Sequence, residues 1–304
     1  TTAIEIQDLY KSYGRVRALK GVSLEVDQGT IFGFLGPNGA GKTTTLRCML
    51  DMIRPQGGSI QVFGLDPQQD PVAVRSRVGY LPGELNLEGN QKVSDALRYF
   101  GALRGNNLDW SYVEALAGRL DLDLHMSIKN LSKGNKQKVG VVQALMHQPD
   151  LLLMDEPTSG LDPLMQQEVY RLLREARQNG ATVFFSSHII AEVEAIADRV
   201  AIIRDGVIVE EAEPETLGHM DVRRIRVRFK EEVDEARLRA FPDVSAVTRE
   251  RRDVFAFTVE GEIDSFIKTL AGFPVSDLDV ERPSLEEIFL AYYAGEEEEL
   301  ENVR

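Results

Sequence analysis

The chain has 304 residues, 43% hydrophobic and 28% charged, an ordinary globular composition with material for one large domain or two smaller ones. Its 35 basic and 49 acidic side chains leave a formal charge of −14, which argues against a general nucleic-acid binder, because that activity needs a basic surface to neutralise phosphates. Cys48 is the single cysteine, so a reducing compartment fits; no apolar run is long enough to cross a bilayer, and the opening TTAIEIQDL lacks a signal-peptide pattern. These features predict a soluble, cytosolic protein.

Residues Ala3 to Leu9 and Val22 to Val26 alternate apolar and polar, as half-buried strands do. Ile31 to Leu35 (IFGFL) is continuously apolar, the mark of a central parallel strand, and runs into a Gly-rich loop and the helical segment TTTLRCMLDMI. Val78 to Leu81 is a short strand. From about 84 to 147 apolar residues recur three and four apart, predicting a helical subdomain. Leu151 to Met154 and Thr182 to Ser186 are apolar strands separated by the helix pattern of Pro163 to Gln178. AIIRDGVIV, from Ala201, predicts a hairpin turning at Asp205-Gly206. Strands alternating with helices imply a mostly parallel α/β sheet.

Near Pro214 to Met220 the character changes. The order that follows is strand (RRIRVRF), helix, two strands (VSAVTRE, DVFAFTVE), helix (IDSFIKTLAGF) and strand (VSDLDVE), which predicts a small α+β, ferredoxin-like domain. Its arginines 224, 226 and 228 are expected on the solvated face of an edge strand. A capping box at Ser284 and Glu287 predicts a last helix, and the acidic tail EEEELE is expected to be solvated. The domains are predicted as 1–218 and 219–304.

Gly36-Pro37-Asn38-Gly39-Ala40-Gly41-Lys42-Thr43 fits GxxxxGK[ST] between a strand and a helix. Glycines let the backbone curl N–H groups toward phosphate oxygens, and the helix adds its positive N-terminal end. Lys42 then reaches the β- and γ-phosphates, the Thr43 hydroxyl ligates Mg²⁺, and Thr44 offers a further phosphate contact. The strand LLLM delivers Asp155 and Glu156 to its carboxyl end, where ligands bind in open α/β sheets. Asp155 suits the Mg²⁺ shell and Glu156 the base that polarises an attacking water. His188, after TVFFSS, stands where either a γ-phosphate sensor or a structural histidine would. LSKGN, at Leu131 to Asn135, precedes an apolar stretch whose helix would start after Asn135 with its N-terminus facing an anion.

Together these elements resemble the nucleotide-binding domain of ATP-binding cassette (ABC) proteins over roughly residues 3 to 218. The resemblance implies a P-loop NTPase fold with an antiparallel β subdomain and a helical subdomain, binding ATP with Mg²⁺. It makes Tyr13 the adenine-stacking aromatic, LSKGN the signature motif, Asp162 of SGLD the D-loop residue and His188 the switch histidine. It also implies a head-to-tail dimer in which Ser132, Gly134 and Asn135 grip the γ-phosphate on a second cassette. Two departures stand out. The family's LSGGQ is LSKGN here, and its Q-loop glutamine is absent from GYLPGELN, where Gly83 takes that position and Glu84 becomes the substitute metal ligand.

The ending RPSLEEIFLAYY resembles the C-terminal extension of drug- and antibiotic-efflux ABC ATPases. Such subunits pair with separate transmembrane permeases at the cytoplasmic face of the membrane. The alternative is a soluble ABC ATPase acting on ribosome or DNA. Residues 222–304 hold 13 basic and 20 acidic side chains, a balance that disfavours RNA, and no nucleic-acid partner is expected.

Overall fold

The computed structural model describes residues 1–85, 87, 89–105, 108–214, 222–260 and 263–281. The predicted helix at 284 and the acidic tail lie outside the described residues. The chain divides into two compact units, Thr1–Pro214 and Glu215–Arg304.

The first unit opens with β1 (Thr2–Tyr13) and β2 (Val16–Asp27), paired antiparallel. Their alternation buries Ile4, Ile6, Leu9, Val22, Leu24 and Val26 on one face. A strand not anticipated, β4 (Gly57–Val62), joins the free side of β1 to complete a three-stranded antiparallel sheet.

The second sheet is built around β3 (Ile31–Leu35), whose five residues are all buried. It holds β5 (Val78–Leu81), β6 (Leu151–Asp155), β7 (Thr182–Ser187), β8 (Arg199–Arg204) and β9 (Val207–Ala212), in the order β5-β6-β7-β3-β8-β9. All pairings are parallel except β8 with β9. That hairpin turns at Asp205 (φ 48°) and Gly206 (φ 82°), both left-handed as a two-residue turn requires. Phe184 stacks on Phe32, centroids 5.6 Å apart, and tilts against Phe34 at 5.3 Å. These rings tie the strand before the Gly-rich loop to the strand before His188.

Around the sheet lie α1 (Lys42–Met49), α2 (Pro71–Ser76), α6 (Pro163–Gln178) and α7 (Ile190–Ile196). Between β5 and β6 come α3 (Val93–Leu103), α4 (Trp110–Arg119) and α5 (Lys133–Leu145), the expected helical segment. Arg119 fastens α4 to α6 through Glu168 (2.6 Å) and Glu175 (2.5 Å). Among the described residues, no helix is long and apolar enough to cross a membrane.

The second unit is a four-stranded antiparallel sheet in the order β11-β12-β10-β13, with β10 Val222–Phe229, β11 Val244–Arg249, β12 Val254–Glu260 and β13 Val275–Glu281. Ile225, Val227, Phe229, Phe255 and Phe257 form its core with Phe266 and Leu270 of α9 (Ile263–Leu270); the short α8 (Glu235–Leu238) supplies Leu238. The placement of RRIRVRF on an edge is corrected here. β10 is a central strand between β12 and β13. Its arginines are tolerated there because acids answer them: Arg226 bonds Glu250 at 2.7 Å, Arg224 lies 3.5 Å from the same carboxylate, and Arg228 lies 4.0 Å from Asp253.

Candidate active site

β3 ends at Leu35 and the loop from Gly36 to Gly41 turns the chain into α1. Gly41 (φ 114°) cannot be replaced cheaply, since a Cβ there would stand 2.7 Å from the Leu19 side chain and 2.8 Å from the Ala18 carbonyl. Pro37 is half-buried, Asn38 and Gly39 are exposed, and Ala40 is buried against the core. Lys42 opens α1 and is 5% exposed; its Nζ donates to the carbonyls of Gly36 (2.6 Å) and Pro37 (3.0 Å), so the lysine lies across its own loop. Burial pushes the ammonium pKa down, against the opposing pull of Glu156 and Asp155. Thr43 Oγ1 donates to Asp155 Oδ2 at 2.7 Å, and Ser186 Oγ to Asp155 Oδ1 at 2.5 Å. The buried aspartate is therefore held from both sides by hydroxyls. Thr44, in the same first turn of α1, is half-buried.

Glu156 follows in a left-handed conformation (φ 51°), its N–H donating to the Ser186 carbonyl at 3.2 Å and to Ser186 Oγ at 3.1 Å. This turns its side chain out of the strand's register, and Oε1 lies 3.0 Å from His188 Nδ1. Both side chains keep some exposure, 26% and 44%. The turn itself is held by Gln137 of α5, whose Nε2 donates to the carbonyls of Glu156 (2.9 Å) and Pro157 (3.0 Å). Neither Ser186 nor Gln137 was singled out from the sequence. The only signal was a polar side chain inside an apolar run, TVFFSS for one and the buried face of α5 for the other.

LSKGN departs from expectation in one respect. The helix does not wait until after Asn135; α5 begins at Lys133, with Ser132 as its N-cap accepting from the Asn135 N–H at 3.2 Å. The serine hydroxyl accepts a backbone N–H three residues on and closes the first turn, so lysine, glycine and asparagine form the helix start. Gly134 lies so near the D-loop that a Cβ on it would be 2.7 Å from the Gly160 carbonyl, and the Lys133 methylenes pass Gly160. Asp162 caps α6, accepting from the N–H groups of Leu164 (3.0 Å) and Met165 (3.1 Å). Tyr13, at the end of β1, is 48% exposed, with Lys11 Nζ 5.5 Å from its ring centroid. Glu84 is exposed, while a Cβ on Gly83 would lie 3.1 Å from Asp155 Oδ2.

The fold thus brings Lys42, Thr43, Asp155, Glu156 and His188 into one cluster at the carboxyl ends of β3, β6 and β7. Among the described residues, no hydrogen bond or ion pair joins Tyr13, Ser132, Gly134, Asn135, Asp162 or Glu84 to it. Chemically, the cluster offers an ammonium and curled amides for phosphate, a hydroxyl and carboxylate for a hard cation, and a partly solvated carboxylate with a histidine at its side.

A phosphate loop between a buried parallel strand and a helix, with its lysine in the field of two acids at a neighbouring strand end, defines a P-loop nucleotide-hydrolysing protein. Residues 19–159 match the ABC transporter family. The chain belongs to that family's ATP-binding proteins and is an ATPase. It is 38% identical over 216 residues to the bacitracin transport ATP-binding protein BcrA of Bacillus licheniformis, covering 69% of this chain and 70% of BcrA. It is 30% identical over 306 residues to the daunorubicin/doxorubicin resistance ATP-binding protein DrrA of Streptomyces peucetius, covering 96% of this chain and 92% of DrrA. A solved ATP-binding cassette in a dimeric post-hydrolysis state with ADP and Pi shares the fold at a TM-score of 0.63 and 22% identity, over 69% of this chain and 98% of that one.

Proposed function

We propose that this ATPase powers an exporter of the drug- and antibiotic-efflux type, working from the cytoplasmic face of the membrane with a separate transmembrane permease. The observation that carries the reading is the similarity to DrrA, a resistance protein, across both units rather than the cassette alone. The second unit is a ferredoxin-like domain on this reading; its antiparallel order β11-β12-β10-β13 is the one a β-α-β-β-α-β chain produces when its first and third strands sit in the middle.

In the site, the loop amides and Lys42 bind the β- and γ-phosphates of ATP, and exposed Tyr13 stacks on the adenine. Thr43 and Asp155 present paired oxygens 2.7 Å apart, the donor chemistry that Mg²⁺ prefers, and they are the residues to hold it. Bound there, the ion supplies charge neutralisation on the phosphates. With Nδ1 protonated, His188 donates to Glu156 Oε1 and leaves Oε2 to take the proton from the attacking water. Ser132, Gly134 and Asn135 serve a second cassette, head to tail, since among the described residues no hydrogen bond or ion pair joins them to Lys42; a dimeric cassette of the same fold supports this.

The test is a tagged pull-down of the full chain from detergent-solubilised membranes of the source cell, with partners identified by mass spectrometry. A multi-spanning membrane protein as the main partner supports the exporter. Ribosomal or DNA-repair partners would overturn it and leave the ATPase standing.

A further inference from the structure

The cluster described so far leaves one buried polar group without a task. Glu192 lies on α7, 8% exposed, behind the reacting pair rather than beside it. Its Oε1 accepts from Thr158 Oγ1, and its Oε2 accepts from Ser187 Oγ at 2.5 Å. Thr158 stands two residues after Glu156, and Ser187 one residue before His188. A single carboxylate therefore spans the two segments whose side chains meet at Glu156 and His188, 3.0 Å apart.

The surroundings make this a bridge rather than a chance contact. Tyr170 of α6 is 4% exposed beside Thr158 and Glu192, and burial together with the Glu192 carboxylate pushes its phenol pKa up. Ser187 is itself fixed: its Oγ accepts from the Ile189 N–H at 2.9 Å, and its carbonyl accepts from the Gly36 N–H at 3.1 Å. A buried carboxylate is costly unless its lone pairs are used, and here two hydroxyls from two segments converge on it, one on each oxygen. An apolar residue in the same place would cost less burial and fasten nothing.

We infer that Glu192 is a positioning residue for ATP hydrolysis, setting the distance and angle between Glu156 and His188 by holding Thr158 and Ser187 together. The inference rests on Glu156 and His188 as the reacting pair. None of its side-chain bonds reaches the phosphate loop directly, and the one link to it, from the Gly36 N–H to the Ser187 carbonyl, is a backbone bond that loss of the Glu192 carboxylate leaves in place, so Glu192 acts on turnover and not on nucleotide affinity. A displacement of an ångström between reacting groups is enough to cost about a hundredfold in rate.

The test measures steady-state ATP hydrolysis and equilibrium ATP binding on the full chain. Glu192→Ala is expected to lower kcat at least tenfold, with KM and the ATP dissociation constant within twofold of the parent. Glu192→Gln is expected to recover kcat to within threefold of the parent, because its oxygen accepts from one hydroxyl and its amide donates to the other. Thr158→Val combined with Glu192→Ala should be no slower than Glu192→Ala alone, since both break one bridge. Unchanged kcat in Glu192→Ala overturns the inference, as does a fall in affinity that matches the fall in turnover and is not rescued by glutamine. Should Glu192→Ala fail to fold, Thr158→Val decides: lowered kcat at unchanged ATP affinity supports the bridge, and parental kcat overturns it. Glu156→Gln, assayed alongside, separates the two claims, because parental turnover in that variant would sink the base assignment whatever Glu192 does.

Discussion

Gln137 offers a direct measure of how tightly α5 holds the turn at Glu156. The residue is 4% exposed, and one amide nitrogen serves the carbonyls of Glu156 and Pro157 at 2.9 and 3.0 Å. Gln137→Met keeps the volume and removes the donor. A buried acceptor left without a partner costs about 1–3 kcal/mol. The Glu156 carbonyl keeps the Ser159 N–H at 3.1 Å, so only the buried Pro157 carbonyl loses its partner, and the net loss is about 1–2 kcal/mol. In a unit of this size that lowers the melting midpoint by roughly 2 to 8 °C. The readout is clean because Trp110 is the sole tryptophan and lies in the first unit, so its fluorescence reports that unit alone. ATP turnover, measured on the same samples, should fall at least threefold as the Glu156 backbone loosens. A midpoint within 1 °C of the parent together with parental turnover would show that the amide restrains nothing.

Three further outcomes are expected. Glu156→Gln should bind ATP with parental affinity, stop hydrolysis and accumulate as an ATP-dependent dimer in size-exclusion chromatography; a variant that stays monomeric with ATP would count against the head-to-tail pairing. Lys42→Met removes a buried ammonium and its two carbonyl bonds together, so the nucleotide-free chain should melt within a few degrees of the parent; its ATP affinity, read by isothermal titration calorimetry, should drop about a hundredfold or more, the loss of a charge-assisted phosphate contact. Burial pushes the Cys48 thiol up to about 11, so at pH 8 the native chain should react with iodoacetamide at least a hundredfold more slowly than the same chain in guanidinium. Prompt labelling of the native protein would contradict that burial.

Much of this was legible because it was local. IFGFL, VGYL and PLMQQEVYRLLREARQ map onto β3, β5 and α6 residue for residue, since continuous burial and a single-faced helix both leave periodic marks. Lys42, Thr43, Asp155 and Glu156 were found through contiguous motifs that need no partner to be recognised. β4, α2 and α7 escaped: GGSIQV begins with two glycines, and helices of six and seven residues are too short to show a period. Whether a strand is central or on an edge depends on partners distant in sequence, so the RRIRVR arginines could not reveal that Glu250 and Asp253 await them. The same distance hid Ser186, Gln137 and Glu192. Each matters for what it reaches across 19 or more residues, and a lone polar side chain in an apolar run says only that something is there.

The strand order also governs when the protein becomes itself during synthesis. β3 carries the phosphate loop, yet its neighbours in the sheet are β7 and β8, which end at residues 187 and 204. Translation at about 5–20 residues per second leaves β3 without either neighbour for roughly eight to thirty seconds after it is made. Phe32 and Phe34 have no Phe184 to stack on during that wait, and IFGFL is an apolar strand with both edges open. The nascent chain is therefore exposed to misassembly early and rescued late, and the opening half of the message is where a ribosome-bound chaperone would do most for its yield.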